Sequence, residues 1–161
     1  MKTLVVYYSL EGNTEYVANK IKEKTGADVL KLVPQKAYPN KGFGKFFFGG
    51  GSSVIGEARE LEPYEVCLDE YERVILGFPV WAARITPPLR MFIEENKSKL
   101  VNKNLIAYAC QSGNGAEKAF AKLAEGIGVD GFEKTAVFLD PKSKHTEEKD
   151  KQIEEFCEIL K

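Results

Sequence analysis

Short apolar runs that alternate with amphipathic helical patterns constrain this chain more than any other feature of its sequence. The runs at residues 3–8, 27–33, 73–78, 104–109 and 132–139 are rich in branched and aromatic residues, as strands are. Helical patterns follow at residues 14–24, 86–96, 115–127 and 146–160. Because strands that alternate with helices form parallel sheets, we predict an α/β fold: a doubly wound, five-stranded parallel sheet with helices on both faces.

Residues 34–72 do not follow this alternation, since they hold no clear crossover helix. Residues 41–53 crowd four phenylalanines among five glycines. A long structureless loop is uncommon in a compact domain. We therefore expect residues 43–48 to form a short helical turn packed into the core, residues 49–53 a mobile joint and residues 61–66 an extended stretch. The aromatic side chains can cap the sheet or bind a partner, and the first role is the simpler one.

Length and charge set the broad class of the protein. A chain of 161 residues with a net charge of −1 is expected to form a single domain, residues 1–161, without the positive field that attracts nucleic acid. No apolar run approaches the ~20 residues of a membrane span, and the Met-Lys-Thr start leads directly into a strand, so no signal peptide is expected. Three widely spaced cysteines favour a reducing, cytoplasmic location. A monomer or weak dimer is expected.

Three loops follow predicted strands and have the composition of ligand loops. The first loop (residues 9–14) leads from the first strand into a helix, whose N-terminal N–H groups form a ready anion site. The second loop (residues 77–84) carries Trp81, the chain's single tryptophan. The third loop (residues 110–115) is small and rich in amides, so its backbone can approach a flat polar ring closely. Ligands of open parallel sheets bind beyond the carboxyl ends of the strands, where these loops are expected.

The motif Ser9-x-x-Gly12-Asn13-Thr14 resembles the phosphate loop of the flavodoxin family, which holds the phosphate of FMN. Glu11 stands where a hydroxyl residue is common in that family. We expect its N–H to face the ligand and its carboxylate to face water, because the carboxylate would repel a phosphate. Three such loops after the first, third and fourth strands match the flavodoxin arrangement over nearly the whole chain.

The resemblance implies a strand order of 2-1-3-4-5 and FMN as the cofactor. It also implies that the second and third loops hold the flavin ring, with Trp81 stacked on it; packing of Trp81 in the core is the open alternative. The residues implied to bind the cofactor are Ser9, Leu10, Glu11, Gly12, Asn13, Thr14, Pro79, Val80, Trp81, Ala82, Cys110, Gln111, Ser112, Gly113 and Asn114.

Other functional classes fail on specific residues. Residues 126–131 match G-x-G-x-x-G but follow a helix and precede a strand, the reverse of the dinucleotide-binding context. No Walker A motif is present, the first and third strands end in Tyr7-Tyr8 and Gly77-Phe78 rather than in the Asp of a response regulator, and Cys110 lacks the Arg of a Cys-x₅-Arg phosphatase. His145 is the single histidine and is expected to be solvated, so a Ser-His or Cys-His pair is not expected. Cys110 is expected to be a small packing residue.

Three functions remain open at this point. The first is an FMN-binding electron carrier that serves a redox partner protein. The second is an NAD(P)H-dependent FMN quinone or flavin reductase, which the nearly neutral charge keeps open because typical flavodoxins are strongly acidic. The third is an interaction module that has lost its flavin, against which the three intact loops argue.

Overall fold

The computed structural model describes residues 1–38 and 60–161, which include a five-stranded parallel sheet of order β2-β1-β3-β4-β5. In the central strands, Val5 lies opposite Val29 on one side and Ile75 on the other. The order confirms the predicted doubly wound topology, and it places the topological switch point, where the direction of strand addition reverses, between β1 and β3. The strands are β1 (Thr3–Tyr7), β2 (Asp28–Lys31), β3 (Arg73–Pro79), β4 (Asn104–Gln111) and β5 (Lys134–Leu139).

Helices cover both faces of the sheet. On one face, α1 (Asn13–Thr25) and α4 (Glu147–Ile159) share a core with one side of the strands. On the other face, α2 (Pro87–Leu100) and α3 (Ala116–Ile127) pack over the opposite side. This division follows from the strands, whose alternate residues point to opposite faces, so that each central strand supplies apolar side chains to both cores.

The ends of the helices agree with the sequence prediction in some places and differ from it in others. Gly26 ends α1 in the left-handed conformation, as a glycine stop predicts. Helix α2 runs to Leu100, past the expected end near residue 96. Thr86 occupies the N-cap position of α2, but its side chain does not cap the helix and its buried hydroxyl has no hydrogen-bond partner. Thr146 caps α4 through a hydrogen bond from the Lys149 N–H.

The irregular segment between β2 and β3 is described only in part. The expected helical turn at residues 43–48 and joint at residues 49–53 lie outside the described residues. On either side of them, Pro34 and Leu61 form an antiparallel bridge, closed by Gln35 N–H donating to Glu60 O at 2.8 Å. Residues 61–67 then run without a helix to a short 3₁₀ turn at Leu68–Glu70.

Two observations bear on the broad class of protein. Among residues 1–38 and 60–161, no helix has the length and apolar character needed to cross a membrane. The three cysteines, Cys67, Cys110 and Cys157, are all free thiols.

Candidate functional site

A cavity of about 530 Å³ opens at the carboxyl ends of β1, β3 and β4. Its volume lies within the roughly 300–1,000 Å³ of small-molecule sites. The first, second and third loops all contribute to its wall, as the topology predicts for an open parallel sheet. The lining residues are Ser9, Leu10, Glu11, Asn13, Thr14, Pro79, Val80, Trp81, Ala82, Ala83, Cys110, Gln111, Ser112, Gly113, Asn114 and Asp140.

The structure brings together the residues that the sequence singled out. Every residue predicted to bind the cofactor lines this cavity except Gly12, which acts in the backbone of the first loop. Two lining residues were not predicted, Ala83 and Asp140. Asp140 follows β5, so its position after a strand was the signal available in the sequence.

The first loop leads into the N-terminus of α1, which no side chain caps from the N-cap position. Gly12 is the N-cap of α1 with φ of 94°, a left-handed conformation that favours glycine. Its N–H donates to Ser9 Oγ at 3.1 Å, and its carbonyl accepts the first helical hydrogen bond, from Tyr16 N–H, at 2.9 Å. The N–H groups of the first turn therefore have no intrahelical acceptor and are oriented to bind an anion.

The hydroxyl of Thr14 lies deep in the wall of the cavity. Thr14 lines the cavity, but the residue is only 1% exposed, and its Oγ1 lies against the Cys110 thiol without a hydrogen bond of ordinary geometry. Buried polar atoms are nearly always hydrogen-bonded in native proteins. A polar ligand atom at the N-terminus of α1 would satisfy both this hydroxyl and the first-turn N–H groups.

A buried tyrosine supports the first loop from beneath. Tyr108, on β4, donates its hydroxyl to Thr14 O at 2.9 Å, and burial raises the pKa of this phenol well above its ordinary value, so it remains a donor. The Tyr108 ring crosses β3 at Gly77, where a Cβ atom would lie 2.2 Å from the ring. The sequence alone does not predict this contact, because it depends on the register of two strands.

A fourth loop (residues 140–145), which follows β5, docks against the first loop. Asn13 Oδ1 accepts hydrogen bonds from Lys142 N–H at 2.8 Å and Ser143 N–H at 3.0 Å, and Asn13 Nδ2 donates to Ser143 Oγ at 3.2 Å. The Asn13 side chain is buried and engaged by the fourth loop. What Asn13 offers to a ligand is therefore its backbone N–H in the first turn of α1.

The second loop is a tight and strained turn. Trp81 and Arg84 exchange two backbone hydrogen bonds of 3.1 and 3.0 Å, and the residues between them, Ala82 and Ala83, have φ of 51° and 58°. Two successive left-handed residues form a type I′ turn, which normally uses Gly or Asn. Each alanine in this conformation costs about 1–2 kcal/mol. Strain of this kind concentrates at ligand sites.

The second and third loops contact each other closely. Gly115 has φ of 104°, and a Cβ atom there would lie 2.9 Å from the Cα of Ala83. A side chain at this position would therefore push the two loops apart. The glycine at the end of the third loop thus fixes the width of the cavity between the two loops.

Trp81 lies between the cavity and the core. It is half-buried and lines the cavity, while its ring packs edge-on against Tyr8 and Tyr38 at centroid distances of 5.8 and 5.3 Å. Both tyrosines are buried. The sequence left open whether Trp81 packs in the core or stacks on a flavin ring. In the structure, Trp81 contacts core aromatic residues and also lines the cavity.

Asp140 holds the third loop. Its Oδ1 accepts from Ser112 Oγ at 2.6 Å, and its Oδ2 pairs with Lys144 Nζ at 3.1 Å. Burial alone would raise the pKa of this carboxyl, but the hydrogen bonds from Ser112 and Lys144 outweigh burial and lower it. Asp140 is therefore a carboxylate at neutral pH. Gln111 adds a second restraint by accepting the Ala116 N–H at 3.0 Å, at the start of α3.

Two groups that could suggest other chemistry do not support it. Burial raises the pKa of the Cys110 thiol to about 12, against an opposing influence of the Thr14 side chain, so the thiol stays protonated and unreactive at neutral pH. His145 is exposed and pairs with Asp150 at 3.0 Å. Within the described part of the chain, no group of three or more His, Cys, Asp or Glu side chains could hold a metal ion.

Comparison with known proteins agrees with this geometry. The chain is similar in structure to a protein from Bacteroides eggerthii assigned as a flavoprotein, with 20% identity, a TM-score of 0.76 and coverage of 99% of this chain and 97% of that one. A flavoprotein from Lactobacillus acidophilus, solved in complex with FMN, is 17% identical with a TM-score of 0.71, over 84% of this chain and 92% of that one. A flavodoxin from the domain Archaea is 19% identical with a TM-score of 0.55, over 98% and 94%.

These structural likenesses show the fold, and the sequence itself shows the family. The family model for flavodoxin matches residues 2–149, which is most of the 161-residue chain. The first, second and third loops all lie within the matched region. The chain therefore belongs to the flavodoxin family.

Proposed function

We propose that this protein binds FMN non-covalently in the cavity at the carboxyl end of its sheet and acts as an electron carrier. The observation that carries the proposal is the cavity at the uncapped N-terminus of α1, with the hydroxyl residues Ser9 and Thr14 in its wall. A phosphate accepts several hydrogen bonds at once and is favoured by the helix dipole, so it fits this donor set. Family membership and the similarity to a flavoprotein solved with FMN support the same ligand.

The two ends of the cavity suit different parts of the cofactor. The first loop would hold the phosphate through the hydroxyls of Ser9 and Thr14 and the first-turn N–H groups of α1. The second and third loops would hold the ring, with Trp81 on one side and the backbone of residues 111–114 along its polar edge. When bound, the flavin supplies the redox chemistry, and the protein supplies orientation and electrostatics.

Two acidic residues, Glu11 and Asp140, line the cavity, and no Lys or Arg lines it within the part of the chain that the structure describes. Asp140 is paired with Lys144, so its charge is partly offset. Low solvent access disfavours a negative charge on a bound ligand. The Cys110 thiol, held neutral by burial, adds no charge of its own.

An electron carrier implies a redox partner protein and activity in the cytoplasm, both of which belong to this proposal. The alternative is a reductase that turns over NAD(P)H with a quinone or flavin. The observation that favours this alternative is the net charge of −1. An electron carrier commonly docks through a strongly charged surface, and a nearly neutral chain is less typical of one.

The proposal is tested on the purified protein. We expect a flavin absorption spectrum, or uptake of added FMN by the apoprotein, and release of FMN rather than FAD by acid and chromatography. Slow NAD(P)H oxidation with quinones present would support a carrier, whereas rapid, saturable turnover would support the reductase. A protein that takes up no FMN would overturn both and favour a module without flavin.

A further inference from the structure

We propose that Lys142, in the fourth loop, is a specificity-determining residue that favours phosphorylated flavin over riboflavin. This inference rests on the proposed FMN binding, and it assigns a cation to a phosphate loop whose own sequence contains none. Lys142 is far from the first loop in sequence, and only the docking of the fourth loop onto α1 brings it there.

The backbone of Lys142 is anchored at the start of α1. Its N–H donates to the buried side chain of Asn13, and the neighbouring Ser143 N–H donates to the same oxygen. Because Lys142 contributes only its backbone N–H to these hydrogen bonds, a substitution of its side chain leaves them in place. The lysine side chain therefore starts from a fixed point beside the anion site.

The side chain of Lys142 then extends over the N-cap residue. Its Nζ lies 2.9 Å, and its Cδ 3.3 Å, from the position that a Cβ atom on Gly12 would occupy. Any residue other than glycine at this position would displace the ammonium group. Gly12 thus serves twice, since it adopts the left-handed turn and leaves space for the Lys142 side chain.

The ammonium of Lys142 is electrostatically engaged with the first turn of α1. It contributes to a lowered pKa of Glu15, for which the hydrogen bond from Lys31 is the main cause. Within residues 1–38 and 60–161, Lys142 forms no ion pair within 4.0 Å. Its charge therefore remains available to an anion at the helix N-terminus.

A second, independent observation points to a ligand at this place. Thr14, in the same turn, lines the cavity, and its Oγ1 is buried without a hydrogen bond of ordinary geometry. A phosphate there would carry close to two negative charges. The ammonium group of Lys142 would favour that charge in a first loop that contains no Lys or Arg of its own.

Lys142 is exposed, so its effect is expected to be modest and screened by salt. At low ionic strength, Lys142→Ala should weaken FMN binding roughly 3- to 10-fold. At about 0.5 M salt, where the screening length is only a few ångströms, the difference should largely disappear. Riboflavin, which has no phosphate, should bind the wild type and the variant equally.

The experiment compares the wild type with Lys142→Ala and Lys142→Arg by calorimetric titration with FMN and riboflavin at two salt concentrations. Lys122→Ala, which removes an exposed charge from α3 on the opposite face of the sheet, is the matched control. A salt-dependent loss for FMN alone, restored by Lys142→Arg and absent from Lys122→Ala, is the expected result. Equal FMN affinity of wild type and Lys142→Ala at low salt would overturn the inference.

Inorganic phosphate separates this inference from the proposed function. Its binding to the apoprotein, followed by ³¹P line broadening at low salt, should also weaken in Lys142→Ala. Lys142-dependent phosphate binding in a protein that takes up no FMN would leave the inference standing and overturn the proposed function. Phosphate binding that is the same in both proteins would overturn the assignment of Lys142 even if FMN binds.

Discussion

The first and second loops line the same cavity but are held in place by different means. The first loop is relaxed: Gly12 supplies the left-handed residue, Tyr108 supports it from below and Asn13 anchors it to the fourth loop. The second loop is strained, because Ala82 and Ala83 adopt left-handed conformations that glycine would adopt more easily. The proposed phosphate end thus depends on the N-terminus of α1, and the proposed ring end on a constrained turn and aromatic packing.

The largest effect is expected beneath the first loop. Gly77→Ala would place a methyl group 2.2 Å from the fully buried Tyr108 ring, which also supports Thr14. Overpacking of this kind should lower the free energy of unfolding by about 3 kcal/mol. Chemical denaturation measures the loss, and Gly131→Ala, where a Cβ would meet nothing within 4 Å, is the control. Equal stability of the two variants would show that the Tyr108 contact does not constrain the fold.

The next largest effect is expected at Thr14, and it separates the proposed phosphate end of the cavity from the proposed ring end. Thr14→Ala should weaken FMN roughly 10- to 100-fold by removing one hydrogen bond to a charged group, while riboflavin binds as before. Thr14→Ser keeps the hydroxyl and should retain most of the affinity. Calorimetry with both ligands makes the comparison. Equal losses for FMN and riboflavin would mean that Thr14 has a structural role only.

Trp81→Ala should weaken FMN and riboflavin alike, because both carry the ring. Loss of stacking on an aromatic plane is worth about 1–3 kcal/mol by analogy with nucleobase stacking. Since Trp81 also packs on Tyr8 and Tyr38, some loss of folding stability should accompany it. Titration of this variant with both ligands gives the loss of affinity for FMN relative to the loss for riboflavin. A variant that loses stability but binds both flavins normally would assign Trp81 to the core alone.

The third loop is expected to respond to pH through Asp140. Its pKa is lowered in the folded protein, so its stabilising effect is present above the unfolded value of about 3.9 and is lost as the pH falls through the folded value. Asp140→Asn should therefore cost about 1–2 kcal/mol at pH 7 and flatten the decline of stability below about pH 4. Denaturation at several pH values measures this.

The exposed Asp130 provides the control for Asp140. Asp130→Asn should leave both the stability at pH 7 and the acid limb nearly unchanged. Identical pH profiles for the wild type and Asp140→Asn would show that the hydrogen bond between Ser112 and Asp140 contributes nothing to stability.

The smallest effect is expected in the strained turn, and it has the opposite sign. Ala82→Gly should raise the free energy of unfolding by about 0.5–1 kcal/mol, since relief of left-handed strain exceeds the entropy that glycine adds to the unfolded chain. Ala121→Gly, at an exposed position in α3, should instead lower it by about 1 kcal/mol. Destabilisation of both variants would refute the assignment of strain to the second loop.

The sequence was sufficient for the sheet and the first three loops because both are encoded locally. Apolar runs and helical periodicity predict the elements, and turn residues such as Gly12 and Gly115 mark where the chain leaves a strand for a helix. The strand order came from the resemblance to a family, and the structure agrees with it.

What the sequence did not predict depends on contacts between distant residues. Asp140 lines the cavity only because β5 lies beside β4, and the contact between Tyr108 and Gly77 depends on strand register. The left-handed alanines of the second loop carry no local signal, since alanine is neutral in most turns. The expectations for residues 43–53 fall outside the described residues and stay predictions.

The central claim is that the ring of FMN lies against Trp81 while its phosphate lies at the start of α1. Because Trp81 is the single tryptophan, its fluorescence reports on one place in the molecule. We predict that titration of the apoprotein with FMN quenches this emission almost completely, with saturation at one equivalent, and that removal of FMN restores it. Emission that stays constant while an independent measurement shows FMN saturating the protein would contradict the account.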